Sequence, residues 1–136
     1  MDYSTFTNKK FFIKQNSTLP EIKYGLTQFI RDKYDITDEM LENVAVTFSM
    51  IDTETGIYRI ANVEAKLVKV NTDERLDEAK YYLAYRFKLP QTKKPGNYQG
   101  EFVVDFLGDY CGKITLPTDD TIEIFISPSI TKTTVV

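Results

Sequence analysis

Pro95-Gly96-Asn97-Tyr98-Gln99-Gly100-Glu101-Phe102-Val103-Val104-Asp105-Phe106 is the stretch whose reading decides the fold of this chain. Tyr98, Gly100, Phe102, Val104 and Phe106 take every second position and share one face of an extended strand, while Gln99, Glu101 and Asp105 point the other way. Slipping this phase by one residue would carry every aromatic to solvent, so the register is strongly specified. Pro95-Gly96 marks the turn into the strand and predicts positive φ at Gly96. Gly100, in mid-strand, marks a bulge or a close backbone approach. Gly108 and Gly112 bracket the turn that leaves the strand, and Lys113-Ile114-Thr115-Leu116-Pro117 begins the next one.

The same alternation recurs upstream. Val44, Val46, Phe48 and Met50 alternate with Ala45, Thr47 and Ser49, Asp52-Thr53-Glu54-Thr55-Gly56 supplies a turn, and Ile57 to Ile60 starts a return that continues through Val63, Ala65 and Leu67 with Glu64 and Lys66 outward. These two strands predict a hairpin. Phe11 to Lys14 reads as a short apolar strand, and Leu19-Pro20 opens a longer one through Ile22, Tyr24 and Leu26 towards Ile30. Thr37-Asp38-Glu39-Met40-Leu41-Glu42 reads as one helical turn capped by Thr37, bridging two sheets. Asn71 to Glu78 is a charged connector and the expected flexible loop. After it, Tyr81, Leu83, Tyr85, Phe87 and Leu89 share a face opposite Lys80, Arg86 and Lys88; Pro90 to Asn97 is turn-rich, and Ile122, Ile124 and Ile126 close the body. The predicted core is Val46, Phe48, Leu83, Tyr85, Phe87, Tyr98, Phe102, Val104, Phe106, Ile122 and Ile124. Seven to nine short strands with frequent turn signals and one short helical turn make this an all-β chain, a β-sandwich.

Composition narrows the function. With 136 residues the chain is about one domain, large enough to bury a core without disulfides or metals. A net charge of −3 from 17 basic and 20 acidic residues leaves no basic stripe, so no nucleic-acid partner is expected. Lys9, Lys10 and Lys14 beside Phe11-Phe12-Ile13 read as solubilising gatekeepers of an apolar strand. No stretch has the roughly 18 apolar residues of a membrane span, the Met1 end lacks a signal-peptide core, and no membrane partner is expected.

Catalytic chemistry finds few footholds. The absence of histidine removes Ser-His-Asp triads, Cys-His pairs and the common zinc sites, and the single Cys111, in a turn between glycines, reads as an inert thiol. Glu101 and Asp105 share a strand face about 13 Å apart, too far for a glycosidase pair. Asp52 with Glu54, and Asp119-Asp120, are acidic turns without EF-hand spacing. The expectation is no enzyme, no catalytic residues, no metal and no cofactor.

What remains is surface. The chain divides into an N-terminal arm (1–10), a sandwich domain (11–127) and a C-terminal arm (128–136). The arms carry the candidate partner-binding residues Tyr3, Phe6, Ile130, Thr131, Thr133, Thr134, Val135 and Val136, able to dock on adjacent chains or extend a partner's sheet. Tyr58, Tyr82, Tyr110 and Phe125 fall opposite the predicted core; such aromatics suit a protein interface or, alternatively, the platform of a carbohydrate-binding adhesion module.

The ordered segments Leu19-Pro20-Glu21-Ile22, Asp35-Ile36-Thr37 leading into Val44-Ala45-Val46-Thr47-Phe48-Ser49-Met50, Pro95-Gly96-Asn97-Tyr98-Gln99-Gly100-Glu101-Phe102, and Lys113-Ile114-Thr115-Leu116-Pro117 with Ile122-Glu123-Ile124 resemble the N-terminal domain of phage baseplate upper proteins. The resemblance covers roughly residues 17 to 127. Asp38 to Asn43 replaces that family's tight turn before the Val-rich strand, and the long fibre-forming continuation is missing. The resemblance implies an immunoglobulin-like structural domain of a tailed-phage virion, located in the tail, neck or head attachment. It implies a homo-oligomeric ring or cluster, other virion structural proteins as partners, and no catalytic residues.

Overall fold

The structure is a computed structural model and describes residues 9–70 and 79–130. Its strands are β1 (Lys10–Lys14), β2 (Ile22–Thr27), β3 (Val44–Asp52), β4 (Tyr58–Lys69), β5 (Ala79–Tyr85), β6 (Gly96–Phe106), β7 (Gly112–Leu116) and β8 (Ile122–Ser127), with one short helix, α1 (Gln28–Lys33). The fold is all-β, within the expected strand number. The Asn71 to Glu78 connector lies outside the described residues.

Seven strands form one hydrogen-bonded path in the order β1-β8-β6-β3-β4-β5-β2, and β7 joins β6 beside β8. β6, the strand read first in the sequence, is the spine: β3 pairs with it along one side, while β8 takes Gly96 to Gly100 and β7 takes Phe102 to Phe106 on the other. β4 is the corner. Up to Ala65 it pairs with β3, as the predicted hairpin requires, and from Lys66 to Lys69 it pairs with β5. The sheet thus folds over at one 12-residue strand into a sandwich-like, nearly closed body.

Turning this corner takes a bulge. The β3–β4 register shifts between the Phe48/Val63 and Met50/Ile60 pairs, and Asn62 takes a left-handed φ of 52°. Ser49 holds it there: its hydroxyl accepts from the Asn62 N–H at 2.9 Å and donates to Asn62 Oδ1 at 3.2 Å. Asparagine tolerates this conformation better than most residues.

All eleven predicted core residues are buried. Phe48 is their hub, with its ring 4.8 Å from Tyr85, 4.9 Å from Phe102 and 6.0 Å from Phe87. Gly96 has φ +155°, positive as expected, and Gly100 marks a close approach. A Cβ there would lie 2.7 Å from Ile124 Cδ1 and 2.9 Å from Phe48 Cζ. The β3–β6 ladder runs past Gly100 without a shift, so no bulge forms at that point.

Three local readings change. β2 stops at Thr27 instead of reaching Ile30, because alternation would turn polar Gln28 inward and the Thr27 hydroxyl accepts from the Ile30 N–H at 3.3 Å, capping α1. Leu89 is exposed, since Pro90 cannot donate to a ladder and Leu89–Thr92 coils into a 3₁₀ turn. The turn expected over Thr37–Glu42 is 3₁₀ at Met40–Glu42, with the Thr37 hydroxyl accepting from the Met40 N–H at 3.3 Å.

α1 is fastened by a single cation. Arg31, 7% exposed, donates through Nη1 to Asp38 Oδ1 at 2.7 Å and through Nη2 to Gln28 Oε1 at 2.9 Å, and lies over the Tyr81 ring at 5.3 Å. Partial desolvation raises the Asp38 carboxyl; the Arg31 hydrogen bond, with Lys80, the Arg31 charge and the Tyr81 hydroxyl, outweighs it and leaves the group below its ordinary value. A depressed carboxyl stabilises the fold above its unfolded-state pKa and loses that contribution as pH falls through the folded value. Asp38→Asn should therefore lower the urea midpoint at neutral pH, modestly because half of the Asp38 side chain is exposed, and the gap to wild type should close as pH falls below the ordinary carboxylate range. A gap that persists unchanged into acid would show that the carboxylate charge plays no part.

Candidate interaction surface

β1 ends the strand path and, among the described residues, pairs only with β8, in parallel. The Glu123 N–H donates to the Lys9 carbonyl at 2.7 Å and the Gln15 N–H to the Ser127 carbonyl at 2.8 Å. In a parallel ladder the residues bonding inward alternate with those facing outward, so Phe11 and Ile13 direct their main chain to β8 while Lys10, Phe12 and Lys14 direct theirs to the open edge. The Ser17 N–H takes the Lys14 carbonyl at 3.2 Å. Among the described residues nothing meets the N–H or C=O of Phe12.

Side chains follow the same parity. Phe11 and Ile13 enter the core, Phe11 stacking on Phe87 at 5.9 Å. Phe12 turns out with 62% of its surface exposed and stacks on Phe125 of β8, ring centroids 5.0 Å apart and planes 15° from parallel. Exposed Lys10 and Lys14 bracket Phe12 on this outer face, in register with Glu123 and Ser127. Neither lysine makes an ion pair among the described residues. Gln15 anchors the end of the strand: its Nε2 donates to the Lys93 carbonyl at 2.9 Å and its Oε1 accepts from the Ser129 N–H at 3.3 Å.

Of the arm residues predicted to bind partners, Ile130 is described and is 92% exposed; Tyr3, Phe6, Thr131, Thr133, Thr134, Val135 and Val136 lie outside the described residues. The outward aromatics do not share one platform. Tyr58 begins β4 and Tyr110 ends the 3₁₀ turn before β7, both exposed, whereas Tyr82 lies on β5 under the Lys23 ammonium, 5.4 Å from its ring centre. Phe125 has an exposed ring beside it, and that ring, Phe12, reads from the sequence only as part of an apolar strand. The signal was present in the parity of Lys10-Phe11-Phe12-Ile13-Lys14: if Phe11 and Ile13 go in, Phe12 must share a face with two lysines.

Several polar groups elsewhere hold the fold. Asp52 Oδ1 accepts from the N–H groups of Glu54 at 2.8 Å and Thr55 at 3.2 Å, shaping the β3–β4 turn. Asp120 Oδ1 accepts from the Thr121 N–H. Glu21 reaches Lys66 at 3.9 Å and Arg86 at 3.7 Å in an open groove along β4 and β5. Burial raises the pKa of Tyr85 and Tyr98, whose hydroxyls donate to Gln91 Oε1 and the Lys94 carbonyl. Cys111 is exposed, and among the described residues no cluster of three or more histidine, cysteine or acidic side chains is placed to hold a metal. No protein-family model, curated protein or solved structure matches this chain.

Proposed function

We propose that the chain is a non-enzymatic structural protein of a tailed-phage virion, a tail, neck or head-attachment component that works as an assembly module among copies of itself and other virion proteins. The observation that carries this reading is the outward Phe12–Phe125 pair on the edge of the sheet. An outward aromatic pair with one ring exposed, beside a strand edge that has no partner among the described residues, costs a free monomer solubility, and it is useful where another surface covers it. The ordered segments that resemble the baseplate upper protein domain supply the virion part of the proposal, as an analogy of sequence pattern.

The test is composition. Tailed particles made from the genome that encodes this chain, purified by density gradient and examined by mass spectrometry, should contain the protein in a fixed ratio to the major tail or capsid protein. Its absence from washed particles would overturn the virion reading. Saturable binding to a glycan array that Phe12→Ser abolishes would replace it with the carbohydrate-binding alternative.

A further inference from the structure

We infer that the open edge of β1 is a strand-addition site for an extended segment of a partner protein whose outward residues run carboxylate, aromatic, carboxylate at every second position. This deepens the assembly reading and rests on it for the partner's biological setting. Three observations select the occupant. Among the described residues nothing pairs with the N–H and C=O that Phe12 turns to the open side, the requirement for adding a strand. The Phe12 ring, backed by Phe125, is the apolar contact, and an aromatic directly across the new pairing would extend the stack. Lys10 and Lys14 stand two residues to either side, both exposed and neither in an ion pair among the described residues, so a strand with acids at the matching positions meets two opposite charges.

Charge also excludes the simplest competitor. A second copy pairing antiparallel about Phe12 would set Lys10 against Lys14 twice, and a parallel copy using the same edge could not place Phe12 opposite Phe12, because outward-bonding residues there face residues whose main chain points away. The lysines that keep copies apart are those that accept an acidic strand. Because the Lys-Phe-Lys pattern is symmetric about Phe12, the match holds in either strand direction. Lys14, beside Ser127, contributes more than Lys10, which is partly offset by Glu123.

The full chain should bind a fluorescein-labelled peptide Thr-Glu-Val-Phe-Val-Glu-Thr saturably in anisotropy, with a Kd below about 1 mM that weakens as salt is raised. The counterpart with lysine in place of glutamate should bind at least tenfold more weakly. Reversing both charges, Lys10→Glu with Lys14→Glu, should invert that preference. Lys14→Glu alone should let two copies pair antiparallel, each new carboxylate facing Lys10 of the other copy, giving a concentration-dependent dimer in sedimentation velocity that wild type and the double variant lack. Equal binding of the two peptides, no binding, or a wild-type dimer that Phe12→Ser abolishes would each overturn the inference. If peptides fail to bind but the protein is present in purified particles, only strand addition falls; if they bind and particles lack the protein, only the virion reading falls.

Discussion

Phe48→Ala is expected to lower the free energy of unfolding by about 4 to 5 kcal/mol, the upper part of the range for removing a buried aromatic ring. Phe48 has no exposed surface and its ring meets those of Tyr85, Phe87 and Phe102, so truncation removes apolar burial, leaves a cavity and breaks three aromatic contacts at once. The three partners come from β5, the segment after it and β6, on both layers of the folded sheet, and collapse around the gap would require the layers to move together. Urea denaturation followed by circular dichroism should show the midpoint falling with an unchanged slope. Tyr58→Ala, at an exposed position at the start of β4, should stay within about 0.5 kcal/mol of wild type. A loss at Phe48 below about 1.5 kcal/mol would mean that the aromatic cluster is not the centre of the core.

Gly100→Ala should cost about 2 to 3 kcal/mol through overpacking alone. The sign is informative, because a glycine replaced by alanine where the backbone conformation is ordinary and space is free gains roughly 0.4 to 1 kcal/mol from the less flexible unfolded chain. Gly100 does not have the positive φ that would strain a side chain; what it lacks is room. Ile124 Cδ1, at 2.7 Å from the added carbon, is the end of a flexible side chain and can turn away, whereas Phe48 Cζ, at 2.9 Å, belongs to a ring held by other rings. The two substitutions should therefore couple: with Phe48→Ala already present, Gly100→Ala should cost at least about 1 kcal/mol less than it does alone, by the usual range for residues in contact. Additive losses would place the conflict at Ile124.

Where one side of a strand is buried and the other wet, alternation was enough to read the fold. Tyr98 to Phe106 and Val44 to Met50 have the phase expected of them, and they pair with each other. Legibility failed at Ile30 and Leu89, where a capping hydroxyl and a proline outrank an apolar side chain that happens to fall in phase. The corner at Asn62 was hidden for another reason: a bulge needs one residue to tolerate left-handed φ and another to hold it, and the Ser49 partner is remote in sequence. The interaction surface was half visible. The lysines around Phe11-Phe12-Ile13 were recognised as guards, but the edge they guard follows from the pairing of β1 with β8, which no local pattern encodes.

That pairing joins the first described strand to the last. β1 is made before β8 and has no other partner strand among the described residues, so its closure must wait for β8, a slow non-local contact of the kind sheet proteins form late. Phe12 and Phe125 come from these two strands, and their stack cannot exist on a chain that has not yet reached β8. On the strand-addition proposal, a partner that docks on the stacked pair would meet only molecules in which β1 has closed on β8, so binding would report on that closure.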